Sequence, residues 1–372
     1  MNPNDAHAEI VVVGAGIAGL ACAYYLTRDS EQARRVVLLD PRPPMSLTSA
    51  QSGENYRDWW PHPVMAEFAR RSIERMSDLT AQASHPIRMT RSGYVLATRR
   101  DADDLAGEWT SGRAPEDLRL HTSPGSYPQD TFSGLDVLAG PAIEDLGIEG
   151  LDPAVQTLIH VRCGGQIDSQ QLGQHMLEAF RAAGGVRKGA QVVQVAGEAP
   201  FRLGLSDGTR LQADALVLAP GPFINELVSQ FQAPLPISHV LQQKLAFPDV
   251  HGVISRNCPF LIDLDRQVLN FSAEERAALR EEPELAWLCE EFPGGIHCRP
   301  DGSGNWIKMG WAFNTSASVP EPEPALSDHF SEVVLRGASR LQPGLGVYTE
   351  RLPREAVHYG GYYSMTEENW PL

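Results

Sequence analysis

The sequence predicts an α/β protein, α+β overall, in which a Rossmann-like domain is interleaved with a second domain. Three observations predict it. An apolar strand, Ile10–Val13, runs directly into Gly14-Ala15-Gly16-Ile17-Ala18-Gly19 and then into an apolar helix, Leu20–Leu26. A second apolar strand, Val36–Leu39, follows and ends on Asp40. Far along the chain, Ala213–Gly221 reads as a further buried strand ending in Ala-x-Gly, so the chain weaves between two domains rather than holding them in series.

The strand–turn–helix opening is the Rossmann-like dinucleotide fingerprint. Gly14 permits the tight turn, Gly16 lets the backbone approach a pyrophosphate, and Gly19 lets helix and strand pack closely. Ile17 and Ala18 begin the helix, whose free N–H groups and positive dipole end favour phosphate. Asp40 stands 21 positions after Gly19, near the spacing of about 20 at which an acid accepts ribose hydroxyls. Asp40 also fits a plain strand-end turn. Pro41 and Arg42 beside it join the candidate cofactor contacts.

The 372 residues suffice for two domains, or for one large domain with an insertion. A net charge of −16 argues against nucleic acid and anionic membranes as partners. The five cysteines (Cys22, Cys163, Cys258, Cys289, Cys298) form no C-x-x-C, and the eleven histidines show no H-x-H or H-E-x-x-H. Neither a disulfide framework nor a metal site is expected. The start, Met1-Asn2-Pro3-Asn4-Asp5, is polar, not a signal peptide, and no apolar run approaches the roughly 20 residues of a membrane span. These features predict a cytoplasmic protein.

Between the fingerprint strands, Arg28–Arg35 reads as a loop. Residues 62–80 read as a helix, with Val64, Met65, Phe68, Ile73 and Met76 near one face. Arg91–Thr98 reads as a strand, and 101–145 as loops and short elements. Asp168–Ala183 reads as a helix capped by Asp168 or Ser169 and stopped by Gly184-Gly185. A strand at Ala190–Val195 and a hairpin turn at Ser206-Asp207-Gly208-Thr209 follow. From Pro222 to about Gln342 the apolar stretches shorten. There, 272–290 reads as a charged helical region and Asn305–Phe313 as an aromatic-rich strand.

Gly14–Gly19 with Asp40, then Gly164-Gly165-Gln166-Ile167-Asp168, Gly189-Ala190-Gln191-Val192 and Leu216–Gly221, resemble in order the D-amino-acid oxidase superfamily of FAD enzymes. That group includes sarcosine oxidase, glycine oxidase and dimethylglycine dehydrogenase. Tyr359-Gly360-Gly361-Tyr362-Tyr363-Ser364-Met365-Thr366 with Asn369-Trp370-Pro371-Leu372 is similar to its W-A-G-x-x-x-x-T-x-D-G-x-P-x-I-G segment. The resemblance implies a discontinuous FAD-binding domain (1–85, 150–225 and 345–372) interleaved with an antiparallel-sheet substrate domain (86–149 and 226–344). It places Val192, Ala219 and Gly221 at the cofactor. It sets Thr48, Ser49, Gln51 and Ser52 in a loop along the flavin, with Arg57 resembling the arginine that ends that loop.

Lys308, in Ile307-Lys308-Met309-Gly310-Trp311, is similar to the flavin-facing lysine of sarcosine oxidase. Strand alternation leaves open whether it faces flavin or solvent. Tyr362 or Tyr363 is implied to line the pocket, and Trp60, Trp311 and Tyr363 are the candidate substrate contacts. There are departures. Ala312 and Trp60 stand where sarcosine oxidase has a histidine and a carboxylate-gripping arginine. Trp59 and Trp60 line a pocket or pack between domains. The loop before Gly53 lacks the histidine that carries covalent flavin in dimethylglycine dehydrogenase, so the implied FAD is non-covalent. Family members continue past the position of Leu372 with a glycine-rich turn and a helix that close over the flavin; the sequence ends there by truncation, by omission or by nature.

The implied reaction is oxidation of a C–N bond in an amine or amino acid. A hydride passes to flavin N5, the imine hydrolyses, and O2 or another acceptor reoxidises the flavin. Oxidation of a 2-hydroxy acid or other alcohol, and a non-catalytic flavoprotein subunit or assembly factor, are the alternatives. An oligomer is compatible with the sequence.

Overall fold

A computed structural model describes residues 5–28, 34–60, 62–104 and 115–367. The Arg28–Arg35 loop and part of 101–145 fall partly outside these residues, and the Asn369–Leu372 end of the final motif falls wholly outside.

The opening strand is longer than its apolar run predicts. Asp5–Val13 pairs in parallel with Arg210–Leu218, from Asp5 opposite Arg210 to Val13 opposite Leu218. Backbone pairing thus extends it past the residues whose side chains mark it. Val36–Leu39 pairs in parallel on its other side, and Val186–Lys188 pairs in parallel beyond that. An antiparallel hairpin, Phe201–Leu205 with Val192–Ala196, completes six strands. The register brings the carboxyl ends of three parallel strands together, so Gly14, Asp40 and Ala219 emerge at one edge, where open α/β sheets bind ligands.

The second sheet has nine strands. Their order is Val357–Thr366, Ile237–Pro248, Trp306–Gly310, Ile296–Asp301, Phe260–Asp263, Tyr94–Thr98, Thr157–Val161, Leu135–Ala139 and Leu118–His121. It is antiparallel except at two joints, Phe260–Asp263 with Tyr94–Thr98 and Leu118–His121 with Leu135–Ala139. Two of its strands, Thr157–Val161 and Val357–Thr366, fall in segments that the sequence reading groups with the first sheet. A small sheet, Asn55–Arg57, Gly164–Ile167 and Met89–Thr90, lies in the chain connecting the two.

One helix that sequence reading passes over holds the large sheet's core. Phe330–Leu341 buries Phe330, Val333, Val334, Gly337, Ala338 and Leu341, an i, i+3, i+4 stripe. Alternation in the large sheet sends Ile307, Met309, Trp311, Leu245 and Phe247 into this core. Trp311 is 1% exposed. A Cβ on Gly337 would fall 2.3 Å from Trp311 Cζ3, so the indole seats directly on that glycine. Trp311 is therefore a core residue and not the pocket contact expected of it.

The Ser169–Ala182 helix starts as its sequence indicates. Asp168 is the N-cap, its carboxylate accepting the Gln171 N–H at 2.9 Å. Asp168→Ala should cost about 1 kcal/mol, the usual value of a lost cap. Urea denaturation checks this, and an unchanged midpoint would remove the cap from the account.

Candidate functional site

Gly14 has φ +101°, and a Cβ there would fall 2.1 Å from the Ala219 carbonyl oxygen. A Cβ on Gly19 would fall 1.9 Å from the Gly14 carbonyl oxygen. The turn, the helix and the Ala219 strand end therefore touch backbone to backbone. Ala219 acts here as the wall against which the turn packs, and Gly221 starts the short helical turn after it. Val192 is buried in the edge hairpin of the same sheet.

The Asp40 carboxylate accepts the Ala15 N–H at 2.7 Å and the Arg42 N–H at 2.8 Å. A carboxylate offers about four acceptor sites, so two remain beside the turn. Pro41 is exposed next to it, and the Arg42 carbonyl accepts from the Arg187 guanidinium. Ser49 reaches back to the turn: its Oγ accepts the Ile17 N–H at 3.0 Å. Ala18 is exposed on the first helical turn.

Thr48–Gln51 forms a short 3-10 helix. It leads from this contact into a cavity of about 390 Å³. Ile17, Thr48, Ser49, Gln51, Ser52 and Tyr363, all singled out by sequence, line it. So do Met45, Met76, Ile167 and Leu172, which make part of the wall apolar, and Glu54, Asn55, Ser169 and Lys244. One face of the large sheet forms the opposite wall. Register places Tyr359 opposite Lys244, Lys244 opposite Gly310, and Gly310 opposite His297, with Arg299 opposite Lys308 two residues on.

A buried ion cluster adjoins that wall on the same face of the sheet. Arg299 is 1% exposed. It donates to Asp301 Oδ1 at 2.6 Å, Gln166 Oε1 at 2.8 Å and the Gly53 carbonyl at 3.0 Å. Lys308 Nζ lies 3.5 Å from both Glu54 and Asp301. Burial pushes the Asp301 carboxyl up, but Arg299 and Lys308 together hold it below its usual value. Burial pulls the His297 imidazole down to about 4, leaving it neutral. Glu54 occupies a left-handed backbone conformation at φ 59°, rare for a residue with a side chain. Its Oε1 accepts from the Ser169 N–H and hydroxyl at 3.1 Å each.

Four expected catalytic or pocket residues, Arg57, Trp60, Tyr362 and Lys308, lie outside the cavity lining. Arg57 stacks on Trp60 at 4.3 Å and Tyr94 at 4.9 Å, and its Nε donates to the Trp59 carbonyl. That cation–π sandwich holds both Arg57 and Trp60 away from the cavity lining. Tyr362 turns to the other face of its strand, where its Oη accepts the Glu321 N–H at 3.0 Å. Tyr363, on the cavity face, is the aromatic that lines the space. Lys308 keeps 12% of its side-chain surface exposed, and Glu54 and Asp301 hold its ammonium outside the cavity lining.

Sequence reasoning missed Lys244 and Arg299, and gave Glu54 and Asn55 no role beyond their place in the loop that ends at Arg57. Lys244 carried one signal, a charge set between Val240-Leu241 and Leu245-Ala246-Phe247 in an otherwise buried strand.

The arrangement fits FAD. Small residues open its walls: a Cβ on Gly361 would meet Gln51 Cβ at 3.1 Å, and one on Gly16 would meet Ser49 Oγ at 3.1 Å. Asn55 Oδ1, at the cavity, is buried with no partner among the described residues. Among those residues no helix is long and apolar enough to cross a membrane.

A fingerprint turn that opens into a cavity walled by a second sheet is the site of a dinucleotide-dependent protein. Residues 9–371 match the family model described as FAD dependent oxidoreductase (DAO), and the chain belongs to that family. It is similar in fold to glycine oxidase from Geobacillus kaustophilus, at 16% identity and a TM-score of 0.70 over 98% of this chain and 85% of that one. It is also similar to L-proline dehydrogenase from P. horikoshii, at 14% identity and a TM-score of 0.70 over 98% and 83%. L-alpha-glycerophosphate oxidase from Mycoplasma pneumoniae, solved with FAD bound, matches at 11% identity and a TM-score of 0.72 over 97% and 84%. No curated protein sequence matches the chain.

Proposed function

We propose that this FAD-dependent enzyme oxidises a C–N bond of an amine or amino acid, with FAD bound non-covalently along the glycine turn and the cavity. The observation that carries the reading is the Thr48–Gln51 helix, which touches the fingerprint helix through Ser49 and also lines the cavity. When bound, FAD supplies a two-electron acceptor that O2 or another acceptor reoxidises.

The start of the Ile17–Arg28 helix would hold the pyrophosphate, and the free acceptor sites of Asp40 the ribose hydroxyls. Met45, Met76, Ile167 and Leu172 give part of the cavity an apolar wall. A substrate ammonium loses its proton more readily in such surroundings. The neutral amine is the form whose α-carbon can release a hydride, and the resulting imine hydrolyses in water. No histidine precedes Gly53 in the loop, which favours non-covalent FAD. In this reading the six-stranded sheet carries the cofactor and the nine-stranded sheet the substrate, with the domain boundaries following sheet membership.

The test is a visible absorption spectrum followed by anaerobic titration with a panel of amines and amino acids. Bleaching of the flavin by one of them is the expected result. No bleaching by any of them, or bleaching by 2-hydroxy acids alone, would overturn the reading.

Lys308→Met sharpens the oxidative half-reaction. Glu54 and Asp301 already neutralise Lys308, so reoxidation by O2 should slow about tenfold. Removing a donor that touches developing charge typically costs 10²–10³-fold. Stopped-flow mixing of reduced protein with O2 measures the effect, and a loss in that larger range would place Lys308 at the reacting atoms.

A further inference from the structure

The loop that lines the cavity is bounded by two residues in the same rare backbone conformation. Met45 has φ 63° and Glu54 φ 59°. Neither is glycine, so both positions are strained, and such strain persists only where the surrounding structure imposes it. Between them, no residue from 46 to 53 is buried. The segment has no core of its own, and its two ends hold it in place.

Both ends are fixed on one helix, Ser169–Ala182. Met45 is 3% exposed, and its side chain lies on Gly173, where a Cβ would fall 2.7 Å from Met45 Cγ. The Met45 carbonyl accepts from Gln170 Nε2 at 3.4 Å, and its N–H donates to the Ala15 carbonyl at 2.9 Å. One helical turn back, Ser169 holds the other end: Glu54 Oε1 accepts both its N–H and its hydroxyl. Glu54 Oε2 lies 3.5 Å from Lys308 Nζ and 3.8 Å from an Arg299 nitrogen. One carboxylate thus ties the loop to the helix on one side and to the nine-stranded sheet on the other. Met45 is seated by packing, whereas the Glu54 side chain is held by polar contacts that water can replace. A segment with few buried groups and replaceable polar contacts is the kind that opens locally. Every partner of the Glu54 carboxylate is a protein group, so the same contacts hold whether or not the cavity is filled.

We propose that residues 45–54 form a strap that opens to pass FAD into and out of the cavity, with Met45 and Glu54 as its pivots and the Glu54 carboxylate as its latch. This rests on the reading of FAD as non-covalently bound along the cavity. Glu54 is a positioning residue: it acts through the strap and sets how often the cavity opens. Opening gates entry and exit alike, so a weaker latch speeds both and leaves affinity nearly unchanged.

The experiment uses the flavin-loaded full chain. Release is timed by exchange against excess radiolabelled FAD, affinity is measured from flavin released on dilution, and the two together give the rate of entry. Glu54→Ala should speed release by about 10- to 100-fold, the worth of a charge-assisted contact. Its dissociation constant should change by no more than about threefold, because the latch is common to loaded and empty protein. Ser169→Ala, which removes only the hydroxyl donor, should speed release by about threefold. Glu54→Gln carries the same test if Glu54→Ala fails to fold. Release at the wild-type rate in these variants overturns the proposal. So does faster release matched by an equal loss of affinity, since Glu54 would then be an ordinary wall contact. Flavin that stays on the protein after denaturation overturns the non-covalent reading and the strap with it. Flavin that comes free on denaturation, yet exchanges no faster in the variants, leaves that reading standing and removes the latch alone.

Discussion

Gly19→Val should yield protein that carries no flavin and unfolds more readily. The new Cβ would fall 1.9 Å from the Gly14 carbonyl oxygen and 3.5 Å from Ala219 Cβ. Gly14 has little room to retreat, since a Cβ built on it would itself fall 2.1 Å from the Ala219 carbonyl oxygen. Either the helix moves off the strand or the turn opens, and both dismantle the phosphate cradle. Overpacking a core usually costs 1–3 kcal/mol. Here the obstacle is backbone rather than a mobile side chain, so about 3 kcal/mol or more is expected. Flavin content of the purified variant, with a thermal melt, measures both effects. Full flavin content at an unchanged melting temperature would show that this turn is not the cradle.

Arg299→Met should be nearly as damaging, through charge rather than space. The Arg299 guanidinium joins three pieces of chain that meet only at the site: Asp301 in the large sheet, Gln166 in the small sheet and Gly53 in the cavity loop. Methionine approximates its bulk but leaves Glu54 and Asp301 with Lys308 alone, and two buried oxygens without donors. Breaking a buried pair from one side typically costs 3–5 kcal/mol. Flavin should also bind more weakly, because the Gly53 loop lines the cavity. Chemical denaturation with a flavin titration checks this. Arg70→Met, which removes an exposed pairing to Glu67 and Glu74, is the control and should change little. If Arg299→Met is as mild as the control, the cluster does not anchor the loop.

What could be read in advance was local. The fingerprint turn, the Asp168 cap, the 206–209 hairpin and the Pro63–Gln82 helix all rest on residues within a few positions of one another. The Phe330–Leu341 stripe was equally local and was overlooked, because prolines and charges around it masked its period. Strand faces were harder. Tyr362 and Tyr363 are adjacent and chemically alike, and alternation alone does not say which face borders a cavity. Trp311 reads as a pocket aromatic in sequence, and only the Phe330–Leu341 helix, seating Gly337 on its indole, makes it a core residue.

By itself, the sequence determined the dinucleotide turn and its acidic partner, since three glycines within six residues and a strand end twenty-one positions later impose that geometry locally. Only the tertiary structure decided which cation meets the cavity. Lys308 and Lys244 are both strand lysines. Glu54, from a distant loop, and Asp301, from the adjacent strand, neutralise the first, while Gly53 and Gly310 clear a slot for the second. Charge balance in a buried cluster depends on groups that long-range strand pairing and loop packing assemble, and no local pattern encodes that balance.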